Sequence, residues 1–249
     1  MDIKFLANEL VLWLKERAES ANAKGFVFGL SGGIDSAVVA AACKQALPNN
    51  STGIIMPCHS IDEDEEHARI VAESLNITLE KVDLTKTFDA LVEAAPKSEH
   101  AMAISNIKPR LRMTTLYYYA QTHGYLVVSG SNLSEFYTGY FTKFGDSGAD
   151  ILPLANILKK DVYRLAKYWD IPEVIIDKKP SAGLWKGQTD EQEMGFSYDE
   201  LDGFIQGESI DSNIEEKIIS MHNRSKHKRA FPPIFVPKKE KCDKIIYKC

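Results

Sequence analysis

Cysteine is scarce in this sequence. There are four, Cys43, Cys58, Cys242 and Cys249, with no Cys-x-x-Cys pair and no spacing to histidine that suits zinc. This excludes a sequence-encoded zinc module or dithiol motif and reads as ordinary thiols in a reducing compartment. Long apolar runs are also missing. The opening Met1-Asp2-Ile3-Lys4 starts an amphipathic segment carrying Glu9, Lys15, Glu16 and Arg17, which is neither a secretory leader nor a membrane span, so the expectation is a cytoplasmic protein. Positive charge is not in excess: 30 Lys and Arg against 35 Asp and Glu give a net charge of -5, which argues against a general nucleic-acid binder. Two familiar phosphate loops are absent as well. No Gly-Lys-Ser/Thr stands at a helix start, and no three glycines follow the dinucleotide fingerprint.

What is present suits one large α/β core. The 249 residues are 44% hydrophobic and 26% charged, and the expectation is a single domain over residues 1–249. Apolar runs at 25–30, 52–57, 77–82 and 124–129 alternate with segments of helical period at 34–47, 62–75, 85–95 and within 107–122. That alternation predicts an α/β fold, an open parallel sheet with helices on both faces. In such sheets ligands bind beyond the carboxyl ends of the strands. The acidic run Asp62-Glu63-Asp64-Glu65-Glu66 reads as the solvated first turn of a helix, where the dipole favours negative charge. Tyr117-Tyr118-Tyr119, inside a predicted helix, would spread its rings over different faces.

The segment with most chemical content is Ser31-Gly32-Gly33-Ile34-Asp35-Ser36, placed between the first apolar run and the first amphipathic helix. Gly32 and Gly33 permit backbone angles and close approaches that other residues resist, and amides at the helix start point at an anion. Ser31 and Ser36 add hydroxyl donors. A carboxylate beside polyphosphate is repelled unless a divalent cation lies between them, so Asp35 reads as a Mg²⁺ ligand. The loop therefore suggests Mg-ATP. Its Ser-Gly-Gly-x-Asp-Ser pattern resembles the pyrophosphate loop of ATP pyrophosphatases, which release AMP and pyrophosphate.

Polar residues gather in further clusters. They are 106–113 with Arg110; 129–135 from Ser129 and Gly130 to Glu135; 139–150 with Lys143, Asp146 and Asp150; 180–191 with Ser181; and His227-Lys228-Arg229. In joint order and spacing the set resembles ammonia-dependent NAD synthetase, over nearly the full chain. The resemblance implies a Rossmann-like fold of the adenine nucleotide alpha hydrolase type. It also implies a reaction in which the carboxylate of deamido-NAD attacks the α-phosphorus of ATP, giving an adenylate from which ammonia displaces AMP. No protein nucleophile is needed, so catalysis would rest on placement and charge neutralisation.

Carried over by position, Gly29, Leu30, Ser31, Gly32, Gly33, Ile34, Asp35 and Ser36 would wrap the ATP phosphates, with Asp35 and Glu135 holding Mg²⁺. Lys159 and Ser181 match ATP-contacting positions, and Asp35 and Lys159 are the expected catalytic residues. Arg110, Lys143, Asp150, His227 and Lys228 match positions that bind deamido-NAD, and Asp146 would face the ammonia. Two positions depart from the family. Ser129-Gly130 replaces the usual Gly-Thr, which leaves Gly130 a backbone contact to ATP and Ser131 as a substitute hydroxyl. Lys186 replaces the usual proline in a segment, flanked by Gly183 and Gly187, that reads as a lid. Only about twenty-five residues precede the first predicted strand, too few for the amidohydrolase domain of glutamine-dependent relatives. Free ammonia is thus the expected nitrogen donor, and the family implies a homodimer. The alternatives are another adenylating enzyme with the same loop, such as a GMP-synthetase-like or tRNA-modifying one, and a regulatory protein that binds Mg-ATP without consuming it.

Overall fold

The computed structural model describes residues 2–181, 187 and 189–235. The elements run α1 (Ile3–Ser20), β1 (Gly25–Gly29), α2 (Ile34–Ala46), β2 (Ser51–Ile55), α3 (Asp62–Ser74), β3 (Thr78–Lys81), α4 (Thr85–Ala94), α5 (Ala101–Ser105), α6 (Ile107–His123), β4 (Tyr125–Val128), α7 (Leu133–Thr138), α8 (Lys159–Tyr168), α9 (Glu173–Ile176), α10 (Asp190–Met194), α11 (Tyr198–Ile205) and α12 (Ser212–Arg224). The four strands form one parallel sheet in the order β3-β2-β1-β4. No described helix is long and apolar enough to cross a membrane.

Successive side chains of a strand face opposite sides, and here both sides are covered. Phe26, Phe28, Ile55 and Val128 join the buried side of α1, α2, α3 and α8. Val27, Ile54, Met56 and Val127 face the other way, onto Phe88, Leu116 and Ala120 from α4 and α6. A third cluster, Met194, Phe196, Tyr198, Leu201 and Ile218, holds α10, α11 and α12 together beside α7. The central strand is thus apolar throughout, which is why it reads as an unbroken run in the sequence.

The predicted helices and strands of the first half are all present, with ends shifted by a residue or two. Ile77 closes α3 by donating its amide to the Ala72 carbonyl at 2.9 Å, so β3 starts at Thr78. The acidic run opens α3 as expected, and its charges are partly paired. Glu65 meets Arg69 and Lys81, each at 2.8 Å, and Asp64 meets Lys178 at 2.7 Å. The three tyrosines do diverge: Tyr118 is 76% exposed, whereas Tyr117 and Tyr119 pack against the second core cluster. Cys43 and Cys58 are buried, and burial pushes both thiols up, away from reactivity. Cys242 and Cys249 lie outside the described residues.

Helix α8 buries a charged side chain at its very start. Its buried residues Lys159, Val162, Leu165 and Ala166 share one face, so the lysine is carried into the interior by the apolar residues behind it. Leu165→Ala should cost about 2–5 kcal/mol, the usual range for a buried leucine, read from the midpoint of urea unfolding followed by circular dichroism.

Candidate active site

Three segments meet beyond the carboxyl end of β1. The first is the loop into α2. Gly32 adopts φ +74°, and a Cβ there would lie 2.5 Å from the Asp64 carbonyl oxygen and 2.7 Å from the His67 Cβ, so only glycine lets α3 close on the loop. Gly33 is the N-cap of α2, and no side chain caps that end. The first amides of α2 thus lack a capping side chain, an arrangement that suits an anion. Ser36 donates its hydroxyl to the Gly33 carbonyl at 2.8 Å, and the Ser31 and Ser36 hydroxyls stand 3.1 Å apart.

The second segment follows β4. A Cβ on Gly130 would sit 3.6 Å from Asp35 and from the Ser36 nitrogen, so this strand end packs on the start of α2. Asn132 then caps α7. Its Oδ1 accepts from the Glu135 amide at 3.0 Å, while Glu135 Oε2 accepts from the Asn132 amide at 3.3 Å, a reciprocal capping box. The Asn132 side-chain amide also donates to Asp35 Oδ1 at 2.8 Å. One asparagine thereby fixes both candidate metal carboxylates.

The third segment is the start of α8. Lys159 is 1% exposed. Its Nζ donates to Asp35 Oδ2 at 2.5 Å and to Glu135 Oε1 at 3.3 Å, and lies 4.7 Å from the ring centre of Tyr198. The Tyr198 hydroxyl donates to Asp190 Oδ2 at 2.9 Å and reaches Glu135 Oε1 at 3.3 Å. Burial pulls the lysine down, but Asp35 and Glu135 outweigh it and the net shift is upward, so Lys159 stays an ammonium. Burial and the Asp35 charge push Glu135 up to about 8 against the pull of Lys159, and burial raises Asp190 also.

The donor set fits a divalent cation such as Mg²⁺. Asp35 and Glu135 present oxygen donors side by side, and both meet the Lys159 ammonium, at 2.5 and 3.3 Å; no group of three His, Cys, Asp or Glu suited to a metal occurs among the described residues. In nucleotide sites Mg²⁺ is bound by one or two carboxylates, with water and substrate phosphates completing the shell.

Of the positions matched to the dinucleotide, three are drawn together. Lys143 Nζ donates to the His227 carbonyl at 2.6 Å, and Arg110 donates to the Lys143 carbonyl at 3.3 Å. Lys228 bridges the Gly139 and Phe141 carbonyls, 2.7 Å from each. Asp150 is tied elsewhere, accepting from the Val127 amide at 2.8 Å and the Tyr117 hydroxyl at 3.2 Å. The two halves of the site adjoin through Ser129 and Gly130: Gly130 rests on Asp35, and the Ser129 hydroxyl donates to the Asp146 carbonyl at 2.8 Å. The Ser131 hydroxyl is buried and pairs with that of Ser129 at 3.4 Å. Asp146 itself accepts from the Thr142 amide at 2.9 Å. Ser181 is exposed, next to Pro180, whose carbonyl accepts from the Asp190 amide at 3.1 Å. Gly183 and Lys186, and with them the lid expectation, lie outside the described residues.

Asn132, Asp190 and Tyr198 carry parts of this site that the sequence reading did not assign. For Asn132 a signal existed, since Asn-x-x-Glu before a helix is a capping-box pattern. Nothing local marks the other two.

The NAD synthase family model matches residues 6–232. The chain belongs to this family. It is 54% identical over 235 residues to a Finegoldia magna protein named NH(3)-dependent NAD(+) synthetase, covering 94% of this chain and 97% of that one. Among solved structures it is similar to the NMN synthetase from Francisella tularensis, with a TM-score of 0.91 and 42% identity over 96% of this chain and 100% of that one. It is likewise similar to the NH3-dependent NAD synthetase from Campylobacter jejuni, with a TM-score of 0.81 and 27% identity over 95% of this chain and 100% of that one. The fold is that of the NAD synthases, of the adenine nucleotide alpha hydrolase type expected.

Two substitutions probe the NAD synthase site directly. Gly32→Ala should lose about 1–3 kcal/mol of stability through strain at positive φ and should weaken ATP binding at least tenfold by isothermal calorimetry. Glu135 gains a proton on folding, because its folded value lies above its ordinary 4.5. The associated stability is complete below that ordinary value and is lost as pH rises through about 8. Without added ligands, the melting temperature should fall between about pH 5 and pH 9, and Glu135→Gln should flatten the fall; parallel profiles for the two proteins would contradict it.

Proposed function

We propose that the chain catalyses the ATP-dependent amidation of deamido-NAD by ammonia, giving NAD, AMP and pyrophosphate through an acyl adenylate, the last step of NAD biosynthesis. The observation that carries this reading is the convergence of a glycine-rich phosphate loop with Asp35, Glu135 and Lys159 at one strand end, in a chain whose relatives are named for that reaction. Gly29, Leu30, Ser31, Gly32, Gly33, Ile34 and Ser36 cradle the phosphates together with the amides of α2. Gly130 and Ser181 add contacts to ATP. Asp35 and Glu135 would hold Mg²⁺, which when bound offsets phosphate charge. Lys159, always charged, turns its ammonium to the phosphates as negative charge builds during attack on the α-phosphorus. Arg110, Lys143, Asp150, His227 and Lys228 take the dinucleotide and hold its carboxylate in line, and Asp146 faces the ammonia. The step itself needs only position: a carboxylate oxygen bonds phosphorus as pyrophosphate leaves, then ammonia bonds the acyl carbon as AMP leaves.

Free ammonia is the nitrogen source in this reading, supported by the printed name of the Finegoldia magna relative and by coverage of 97% of its length. We further propose a cytoplasmic homodimer of single-domain chains over residues 1–249. A second reading is favoured by one observation, the TM-score of 0.91 to a protein titled NMN synthetase: the amide acceptor is then a mononucleotide.

The test monitors nucleotide product, AMP and pyrophosphate together, with Mg-ATP, ammonium or glutamine, and deamido-NAD or nicotinate mononucleotide as acceptor. NAD formed from ammonium in step with AMP and pyrophosphate is the expected result, and preference for the mononucleotide would establish the second reading. Asp35→Ala and Lys159→Met should each lower turnover by about 10²–10³ or more. Near-normal turnover in either would sink the role given to that residue.

A further inference from the structure

Glu135 and Lys159 must keep a fixed separation, yet they stand on two different helices, the short α7 and α8. Neither is a strand residue held by the sheet. Helix α8 also starts poorly on its own, since its N-cap residue is Leu158, which offers no side-chain cap.

A buried pair from outside the helix supplies what is missing. The Ser134 hydroxyl, next in sequence to Glu135, accepts from the Lys159 amide at 3.1 Å and donates to Asp202 Oδ1 at 2.5 Å. Asp202 Oδ2 accepts from the Lys160 amide at 2.8 Å. Ser134 is fully buried and Asp202 is 1% exposed, and no ion pair among the described residues involves Asp202. A buried carboxylate without an ion pair is costly; here its compensation is the hydrogen bonds from Ser134 and the start of α8, the positive end of that helix and the nearby charge of Lys160. On α11, Asp202 is one turn beyond Tyr198 and on the same face. A single helix face therefore holds Lys159 twice: Asp202 fixes its backbone, and the Tyr198 ring receives its ammonium.

We infer that Asp202, acting through Ser134 and the first amides of α8, is a positioning residue for the adenylation step, setting Lys159 against Asp35 and Glu135. This rests on the reading of Lys159 as the ammonium that stabilises the phosphates. Loss of the pair frees the start of α8 to shift relative to α7, and a displacement of about 1 Å at a reacting group is worth about a hundredfold in rate.

The experiment is a double-mutant cycle on the single-turnover release of pyrophosphate, with Asp202→Ala introduced into the wild-type chain and into Lys159→Met. In the wild-type chain the rate should fall about a hundredfold, with the larger share in the maximal rate rather than in the ATP concentration at half-saturation. In Lys159→Met the same substitution should change the rate less than about threefold, because the group it positions is gone. Equal factors in both backgrounds would make Asp202 a purely structural residue and overturn the inference. A wild-type rate in Lys159→Met alone would instead remove the reading on which it rests. Should Asp202→Ala not fold, Ser134→Ala deletes one hydroxyl from the same link and is run through the same cycle with the same two outcomes.

Discussion

The buried ammonium of Lys159 is the interaction on which the rest of this site depends. Asp35 and Glu135 share it at 2.5 and 3.3 Å, in a place where burying either carboxylate alone would be strongly unfavourable. The sheet end supplies Asp35 by way of α2, the capped turn of α7 supplies Glu135, and the apolar face of α8 forces the lysine inward. Each element is placed by packing that has nothing to do with charge. These contacts then lock the elements together, so removing the ammonium leaves Asp35 and Glu135 facing each other without their shared donor and one buried hydrogen-bond network without its centre.

How much of this could be read beforehand depended on whether the signal was local. The strands were legible because two-sided burial makes unbroken apolar runs, as in Phe26, Val27 and Phe28. The glycine loop between β1 and α2 was legible in part: Gly32 is required by the backbone, at φ +74° with no room for a Cβ, whereas Gly33 is extended and a Cβ there would make only an ordinary contact at 3.5 Å. Beyond β4 legibility ended. Helices α7 and α9 have six and four residues, too short for a period to register, and α7 and α10 stop at glycines of positive φ. Lys159 became a candidate only through family resemblance, since a lysine at a helix start looks like any solvated one. Its spacing to Val162, Leu165 and Ala166 was the available clue. Tyr198 and Asp190 gain their meaning from a meeting of distant segments, which no window of sequence contains.

The two halves of the site are built by different means. Around Asp35, side chain meets side chain, with Lys159 buried and the two acidic groups partly exposed. Around Arg110, Lys143 and Lys228, cations rest on backbone carbonyls at Gly139, Phe141, Lys143 and His227. Carbonyls are neutral partners, so an anionic ligand can claim those cations without separating an ion pair.

Helix α2 buries nine of its thirteen residues, Ile34 and eight from Ala37 to Ala46, most of them alanine or valine. A helix so enclosed has little freedom to lean or slide, since even one added methylene must displace a neighbour. The glycine loop at its start, proposed above to hold the nucleotide's phosphates, is thus a stationary reference point within the molecule. Over evolutionary time, a change in which acceptor is amidated would have to be written in the segments that approach this point, leaving the nucleotide's seat untouched.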